Sequence, residues 1–348
     1  MIFENILSNT PPVRRFISSA DRPIAMLQQC PAYASTPMQN EPGLAAELGI
    51  DQVFVKDESK RMRLGSFKAL GGSFAVAQMI SDAGDGCNLE DDKAKHVAAN
   101  MTFVTASAGN HGLSVAAGAR VFGAKAVIVL ASTVPEGFAD RIRSLDAKVI
   151  RVDGNYEDSV AFARQAADEN DWLLLADGTW EGYVDRPAMV MEGYTVLAEE
   201  CRVEFEAMGN WPSHVLLQAG VGGFAAAISA HIRDFWAHQP EIVIVEPEFA
   251  PCLINSVRAG NMTRGDGEES SMGRLDCKDA SLIAFEALRQ DANTFITVTE
   301  AEAKQVVETY AKYGYQTTES GAASLAAISH LNLTSESRCL VVTTEGVD

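Results

Sequence analysis

A single lysine lies in the segment GSFKALGG, residues 65–72, between small and apolar residues at the expected start of a helix. A solvated lysine has a pKa of about 10.4, so its amine is protonated and a poor nucleophile. In an apolar setting, or with a carbonyl partner, the same amine forms an imine. We therefore take Lys68 as a candidate catalytic amine, and a plain solvated lysine at a helix start is the alternative.

A glycine-rich turn, AGVGG, follows the apolar run HVLLQ and precedes the helical pattern FAAAISAHIRDFW. Backbone N–H groups in such a turn, together with the helix N-terminus, favour a bound anion such as a phosphate. The turn lacks both the Lys-Ser/Thr ending of a P-loop and the G-x-G-x-x-G spacing of a dinucleotide fold. Residues 219–223 therefore predict a phosphate cradle outside those two classes, or a tight turn that only allows close helix packing.

A second turn of this kind, TASAGNHG, follows the run MTFVTA. Ser107, Gly109 and Asn110 occupy positions where an N-cap and exposed N–H groups face an anion such as a carboxylate. His111 is a candidate general base, but we favour a histidine packed in the first helical turn. A lysine, a phosphate turn and a carboxylate turn are together what a phosphorylated aldehyde cofactor and an amino acid require.

Eight short apolar runs predict the strands that position these groups, and each is followed by a turn and a helical pattern. Because strands that are apolar throughout are buried on both faces, we expect an α/β fold with parallel sheets covered by helices. Four of the runs lie between Phe103 and Ala176, with helices expected at 110–122, 136–145 and 156–169. The runs are QVFVK, MTFVTA, AVIVLA, KVIRV, WLLLA, HVLLQ, IVIVEP and CLVVT.

These runs divide between two predicted domains. Residues 76–177 form a small mobile domain, inserted into a large domain made of residues 1–75 and 178–348. The cleft between the two sheets is the expected site, because ligands of α/β folds bind at the carboxyl ends of strands. Residues 258–271 are expected to be a surface excursion, and a mobile cover over the site is the alternative.

Composition excludes several classes of protein. The formal net charge of −19 over 348 residues argues against nucleic-acid binding, which depends on clustered basic residues. No apolar run is long enough to span a membrane and the N-terminus does not resemble a secretion signal, so we expect a cytoplasmic protein without a membrane partner. The six cysteines form no C-x-x-C pair, which predicts reduced thiols and no metal site.

The segments KDESKRMRLGSFKALGG, SAGNHG and LQAGVGG, in this order and spacing, resemble the fold-type II family of pyridoxal-phosphate enzymes, the group of the tryptophan synthase β-subunit and threonine dehydratase. Further segments are similar to its diaminopropionate ammonia-lyases: RVDGNYEDSV, ADGTWEGYVDRPAMVMEGYTVLAEE, VIVEP, ESGA and TTEG. The resemblance implies two open, twisted, mostly parallel sheets flanked by helices. It also implies pyridoxal 5'-phosphate in the cleft between them, and a homodimer.

The resemblance also implies roles for individual residues. Lys68 carries the cofactor as a Schiff base and removes the Cα proton. Asn110 binds the cofactor's 3'-oxygen, and Thr343 presents a neutral hydroxyl to the pyridine nitrogen. Asp177 orients or protonates the leaving amino group, with a capping role at a strand end as the alternative. The other cofactor-binding residues are Phe67, Gly220, Val221, Gly222, Gly223 and Phe224.

The substrate carboxylate is expected at Thr105, Ala106, Ser107 and the N–H groups that follow, and Tyr183 is expected to line the cleft beside Asp177. The activity implied is β-elimination of an L-amino acid, foremost 2,3-diaminopropionate, to pyruvate and ammonia. A serine, threonine or hydroxyaspartate dehydratase is the first alternative, and a catalytically silent amino-acid-binding relative is the second.

One position departs from the lyase pattern. The lyases have Asp directly before Gly-Asn-His-Gly, where this chain has Ala108. By the resemblance, that Asp removes the Cα proton of the D-isomer. Ala108 therefore predicts a protein that uses L-substrates only, or one whose natural substrate is not diaminopropionate.

Overall fold

The structure is a computed structural model that describes residues 1–5, 14–107 and 109–347. Within these residues the strands form a seven-stranded sheet and a four-stranded sheet. The larger sheet has the strand order β1-β10-β9-β8-β11-β3-β2, and the smaller has the order β6-β5-β4-β7. The strands are β1 Ile2–Glu4, β2 Met38–Asn40, β3 Gln52–Asp57, β4 Thr102–Ala106, β5 Lys125–Ala131, β6 Lys148–Val152, β7 Leu173–Leu174, β8 His214–Gln218, β9 Glu241–Pro247, β10 Thr294–Val298 and β11 Arg338–Thr343.

Both sheets are mainly parallel. The pairs from β10 through β9, β8 and β11 to β3 are parallel, as are all pairs of the small sheet. Only the edge strands β1 and β2 of the large sheet pair antiparallel. Central strands rich in Val and Ile, buried on both faces, explain the parallel arrangement. The predicted fold, mostly parallel sheets flanked by helices, is confirmed.

Helices cover both sheets. Two of them start where the sequence motifs predicted, α3 at Lys68 and α5 at Asn110, and α9 starts at Gly223, one residue before the predicted start. The helices are α1 Asp21–Leu27, α2 Pro42–Leu48, α3 Lys68–Ala83, α4 Asp92–Ala99, α5 Asn110–Phe122, α6 Glu136–Arg143, α7 Tyr156–Asn170, α8 Asp185–Met208, α9 Gly223–Phe235, α10 Cys252–Ala259, α11 Leu282–Asp291, α12 Glu300–Lys312 and α13 Glu319–Ala326. Short 3-10 helices lie at Arg61–Arg63 and Ala327–His330.

The central strand β11 separates two apolar cores. Leu340 and Val342 pack with α3, α8 and α9 on one face, whereas Cys339 and Val341 pack with α2 and α13 on the other. This alternation follows from the two-residue period of a strand. Because the strands from β10 to β3 are parallel, their carboxyl ends lie at one edge of the sheet.

Most predicted elements are present, and the differences have simple causes. The run WLLLA forms only the two-residue strand Leu173–Leu174, because it is the edge of the small sheet. The strands β1, β2 and β10 were not predicted, and the first two are three-residue edge strands too short to show a period. The domain division at residues 76–177 stays a prediction, although every strand from Thr102 to Leu174 belongs to the small sheet. None of the helices in the described part of the chain is long and apolar enough to cross a membrane.

Candidate active site

The Lys68 amine lies at the start of α3 and contacts a carboxylate. Lys68 is the first residue of α3, and its Nζ atom donates to Oδ2 of Asp177, which follows the small sheet's edge strand by three residues. The two side chains are 23% and 15% exposed. The structure thus brings together two residues 109 positions apart in the sequence.

Burial and the charge of the partner shift the pKa values of Lys68 and Asp177 in opposite directions. Burial alone would lower the pKa of Lys68, but the negative charge of Asp177 outweighs it and the pKa is raised. Burial acts to raise the pKa of Asp177, but the positive charge of Lys68 and the hydrogen bond from it outweigh burial, so the pKa of Asp177 is lowered. Asp177 is therefore a carboxylate and Lys68 an ammonium group when they face one another.

The predicted phosphate turn lies directly beside this pair. Gly222 adopts a φ of +97°, which favours glycine, and a Cβ atom there would lie 3.0 Å from Leu253. A Cβ atom on Gly220 would lie 2.9 Å from Sγ of Cys277, and one on Gly223 would lie 3.6 Å from the carbonyl oxygen of Asp177. Among the described residues no side chain caps the start of α9, so its first N–H groups can donate to a phosphate.

Aromatic packing joins the lysine helix to the phosphate helix. The rings of Phe67 and Phe224 lie 4.4 Å apart between centroids, and the ring of Tyr194 packs edge-on against Phe67 at 4.9 Å. Phe67 and Phe224 thus hold the starts of α3 and α9 together. Val221 accepts a backbone hydrogen bond from Ser281, which fixes the turn to the segment before α11.

The turn before α5 is closed by its own serine. The Ser107 hydroxyl accepts from the backbone N–H groups of Gly109 and Gly112 at 3.1 and 2.9 Å. Thr105 and Ala106 end β4, and the Thr105 hydroxyl contacts only the next carbonyl among the described residues, at 3.3 Å. Ser107 therefore orders the proposed carboxylate site. Ala108 lies outside the described residues.

Asn110 meets a carboxylate that sequence reasoning missed. Its side-chain amide donates to Oε2 of Glu345, whose other oxygen accepts from the Thr318 hydroxyl at 2.5 Å. Nε of Arg274 lies 3.6 Å from the same carboxylate. Glu345 follows β11 by two residues and has 6% of its side chain exposed. Glu345 lies in the segment TTEG that resembles the lyases, but its contact with Asn110 had no signal in the sequence, and no pattern marked Arg274.

Thr343 and Tyr183 do not converge on the amine through hydrogen bonds. The Thr343 hydroxyl is buried without a partner among the described residues, next to Tyr310 and on the Val341 face of β11. The Tyr183 hydroxyl donates to the carbonyl of Leu174 at 2.8 Å and its ring stacks on Trp180. The roles predicted for Thr343 and Tyr183 stay predictions.

His111 is buried in the first turn of α5. Its Nε2 atom lies 2.8 Å from the carbonyl oxygen of Leu175, and Nδ1 has no partner among the described residues. Burial lowers the pKa of His111, so the ring is neutral. This is the packed position that we favoured over a general base.

A buried ion cluster supports the segment before Lys68. Arg61 and Lys56 are fully buried and pair with Glu58 and Glu200, with oxygen–nitrogen distances of 2.7–2.8 Å. After this cluster, Met62, Arg63 and Gly65 adopt positive φ angles of 50°, 61° and 85°. The ion pairs therefore fix the start of the unusual loop that leads into α3.

Together these residues satisfy what pyridoxal phosphate requires. The amine of Lys68 would hold the aldehyde, and the turn at Gly220, Gly222 and Gly223, which side chains at those positions would fill, would hold the phosphate. A general family model described as "Pyridoxal-phosphate dependent enzyme" matches residues 30–345.

Comparison with known proteins agrees with this arrangement. The diaminopropionate ammonia-lyase of Escherichia coli strain K12 is 35% identical over 282 residues, covering 79% of this chain and 71% of that protein. Its crystal structure in complex with an aminoacrylate–PLP azomethine reaction intermediate has a TM-score of 0.89 and 32% identity, covering 99% of this chain and 93% of that one. A crystal structure of the same enzyme in complex with D-serine has a TM-score of 0.89 and 31% identity, with the same coverage.

Proposed function

The chain belongs to the family of pyridoxal-phosphate dependent enzymes, and on that basis we propose that it eliminates the β-amino group of L-2,3-diaminopropionate to give pyruvate and ammonia. The proposal extends the shared reaction class, PLP-dependent β-elimination, to a particular substrate. The similarity to E. coli diaminopropionate ammonia-lyase supports it.

The observation that carries the proposal is the contact between Asp177 and Lys68. A β-ammonium group already bears the proton with which it leaves as ammonia, so it needs an anion to hold it and no acid to protonate it. A β-hydroxyl group needs an acid, and Asp177 does not serve as one, because its pKa is held below the ordinary range. This favours the ammonia-lyase over a serine or threonine dehydratase.

When bound, pyridoxal phosphate supplies a conjugated ring that delocalises the negative charge left on Cα. Lys68 would hold the aldehyde of the cofactor, and as a neutral amine it would take the proton from Cα of the substrate. Asp177, within contact of that amine, orients the β-ammonium group and stabilises the charge that Lys68 acquires. The glycine turn before α9 would hold the phosphate, and Asn110 would bind the 3'-oxygen of the cofactor.

The same proposal includes the remaining predicted roles. Thr105, Ala106 and Ser107 position the turn that receives the substrate carboxylate. The small domain, residues 76–177, closes over the substrate and excludes water. The homodimer and the cytoplasmic location expected from the sequence belong to this proposal as well, and the mass of the purified protein in solution tests the homodimer.

A substrate panel tests the proposed function. The cofactor-loaded protein is given L-2,3-diaminopropionate, L-serine, L-threonine and hydroxyaspartate at equal concentrations, and release of 2-oxo acid and ammonia is followed. We expect L-diaminopropionate to be used best, and Asp177→Asn to lose that preference. Faster turnover of L-serine by the unaltered protein would favour the dehydratase.

The D-isomer of diaminopropionate is the second arm of this panel. Ala108 predicts no turnover of it, because no second base is then available on the face of Cα away from Lys68. Turnover of the D-isomer at a rate near that of the L-isomer would contradict this prediction.

A further inference from the structure

We propose that Arg274 binds the α-carboxylate of the amino-acid substrate and thereby makes the site selective for free amino acids over their amides. This inference rests on the proposed function, because it assigns a residue to the substrate site of that reaction. Arg274 lies in the connection between α10 and α11. The sequence analysis assigned no catalytic or binding role to this residue.

The guanidinium group of Arg274 lies against the turn that opens α5. A Cβ atom built on Gly109 would be 2.8 Å from Cζ of Arg274, and 2.9 Å from Nε and from Nη1. Any side chain at position 109 would therefore collide with the arginine. Glycine at this position allows a positive charge to lie directly on the backbone of the predicted carboxylate site.

The backbone of that turn has limited donor capacity of its own. The N–H groups of Gly109 and Gly112 already donate to the Ser107 hydroxyl. A carboxylate has two oxygens that accept several hydrogen bonds, so a site at this turn needs further donors. A guanidinium group supplies a planar pair of them, matched to a carboxylate.

Arg274 contacts residues of α13 and α6 and the segment after β11. Its backbone N–H donates to the Ser320 hydroxyl at 3.1 Å at the start of α13, and its Nε lies 3.6 Å from Glu345 after β11. Its guanidinium group also lies 5.8 Å from the ring centroid of Phe138 in α6, the helix between strands of the small sheet. Because these contacts fix the group before substrate arrives, little side-chain entropy is lost on binding.

The charges of the cleft also require a cation at this place. Asp177 and the buried Glu345 are two carboxylates that repel the carboxylate of an entering amino acid. Lys68 is matched by Asp177, and the guanidinium group of Arg274, 33% exposed, lies beside Glu345. Removal of Arg274 therefore leaves Glu345 to oppose the substrate carboxylate.

The test compares binding of L-alanine and L-alaninamide, which differ in the carboxylate and carry no β-leaving group. Binding to the cofactor-loaded protein is followed by the change in cofactor absorbance, in the unaltered protein and in Arg274→Gln and Arg274→Lys. For Arg274→Gln we expect the Kd of L-alanine to rise about tenfold or more, and that of L-alaninamide to change less than about twofold. Arg274→Lys keeps the charge without the planar fork, so its effect should be intermediate.

Arg141 offers a matched control. Its guanidinium group lies 5.6 Å from the same Phe138 ring, but on α6. We expect Arg141→Gln to change neither Kd. Steady-state kinetics with L-diaminopropionate give a second measurement, in which Arg274→Gln raises KM more than it lowers kcat.

Two results would overturn the proposal. An equal loss of affinity for L-alanine and L-alaninamide in Arg274→Gln would mean that the residue supports the fold of the site only. A loss confined to hydroxyaspartate, with L-alanine unaffected, would place Arg274 at a β-carboxylate instead. Because L-alanine binding requires no elimination, these results differ from failure of the proposed function, in which the protein binds L-alanine but releases no pyruvate from L-diaminopropionate.

Discussion

Replacement of Asp177 by Asn tests how the carboxylate controls the Lys68 amine. The change removes one negative charge and keeps the shape of the side chain and a hydrogen-bond acceptor. Asp177 raises the pKa of Lys68, whereas burial acts to lower it. With the charge removed, burial dominates, so the pKa of Lys68 falls and more of the amine is neutral near pH 8.

The size of this effect follows from the contact. A hydrogen bond between charged groups contributes about 1.5–3 kcal/mol. Both side chains are largely buried, at 23% and 15% exposure, so solvent screens little of it. Because 1.36 kcal/mol corresponds to a tenfold change in an ionisation constant, the neutral fraction of Lys68 should rise about ten- to a hundredfold.

The assay is the rate at which the cofactor-free protein takes up pyridoxal phosphate, followed by absorbance between pH 6.5 and 9.5. Only the neutral amine attacks an aldehyde, so Asp177→Asn should take up the cofactor faster at pH 8 than the unaltered protein does. The same variant should eliminate ammonia from L-diaminopropionate more slowly, because no anion holds the β-ammonium group. Uptake thus becomes faster while turnover becomes slower.

Glu199 provides a matched control, since it pairs with Arg202 at 2.7 Å with similar exposure, 21% and 25%, on α8. We expect Glu199→Gln to change neither rate. Uptake by Asp177→Asn that is unchanged or slower across the whole pH range would refute the reasoning that Asp177 keeps Lys68 protonated.

Three further predictions concern stability, each measured by urea unfolding of the cofactor-free protein. Gly71→Ala should destabilise it by about 1–3 kcal/mol, because the added Cβ atom would lie 2.5 Å from a backbone carbonyl of α8. In Gly137→Ala the added Cβ atom would have no neighbour within 4 Å, so this change should leave stability unaltered or raise it slightly. Equal effects of Gly71→Ala and Gly137→Ala would contradict the close packing of Gly71 against α8. Glu200→Gln should lower the free energy of unfolding by about 3–5 kcal/mol, because Arg61 then lies buried without one of its two carboxylate partners. A decrease below about 1 kcal/mol would show that stability does not depend on these buried ion pairs. Burial raises the pKa of Glu246 to about 8, above the ordinary 4.5. Between these two pH values the folded protein keeps a proton on Glu246 that the unfolded protein has lost, so the free energy of unfolding should fall as the pH rises from 4.5 to about 8. Glu246→Gln should remove this decrease in stability with pH. An unchanged dependence of stability on pH in the variant would contradict the assignment to Glu246.

The sequence predicted the parts of the site that depend on neighbouring residues. Lys68, the turn at residues 219–223 and the turn before Asn110 were found because a glycine-rich or serine-containing turn between an apolar run and a helix is a local signal. The start of α5 at Asn110 agreed to the residue. Local sequence patterns therefore located the helix starts that we propose to bind the phosphate and the substrate carboxylate.

Contacts between distant segments were beyond the same reasoning. Asp177 entered only through resemblance to a family, and the contact between Asn110 and Glu345 joins residues 235 positions apart. Arg274, which we propose as a carboxylate-binding residue, follows the predicted surface excursion at residues 258–271 by three positions, and no local pattern marked it. Neither hydrophobic periodicity nor a turn motif predicts a contact between such distant residues, because the packing of the two sheets determines which residues meet.

Strand alternation carries information about Thr343 that the motif alone does not. Cys339, Val341 and Thr343 share one face of β11, whereas Val342 lies on the face of the core that contains α3. The residue after the strand, Thr344, accepts from the side chain of Gln218 at 3.2 Å. Comparing Thr343→Ala with Thr344→Ala for cofactor affinity would show which hydroxyl meets the pyridine nitrogen.

The central claim is that the Nζ atom of Lys68 carries the cofactor, and one measurement tests it most directly. The protein loaded with pyridoxal phosphate is reduced with borohydride, digested, and mapped by mass spectrometry. The account predicts one pyridoxyl phosphate group on the peptide that contains Lys68, and none in the Lys68→Ala protein. A label on another lysine, with Lys68 unmodified, would contradict it.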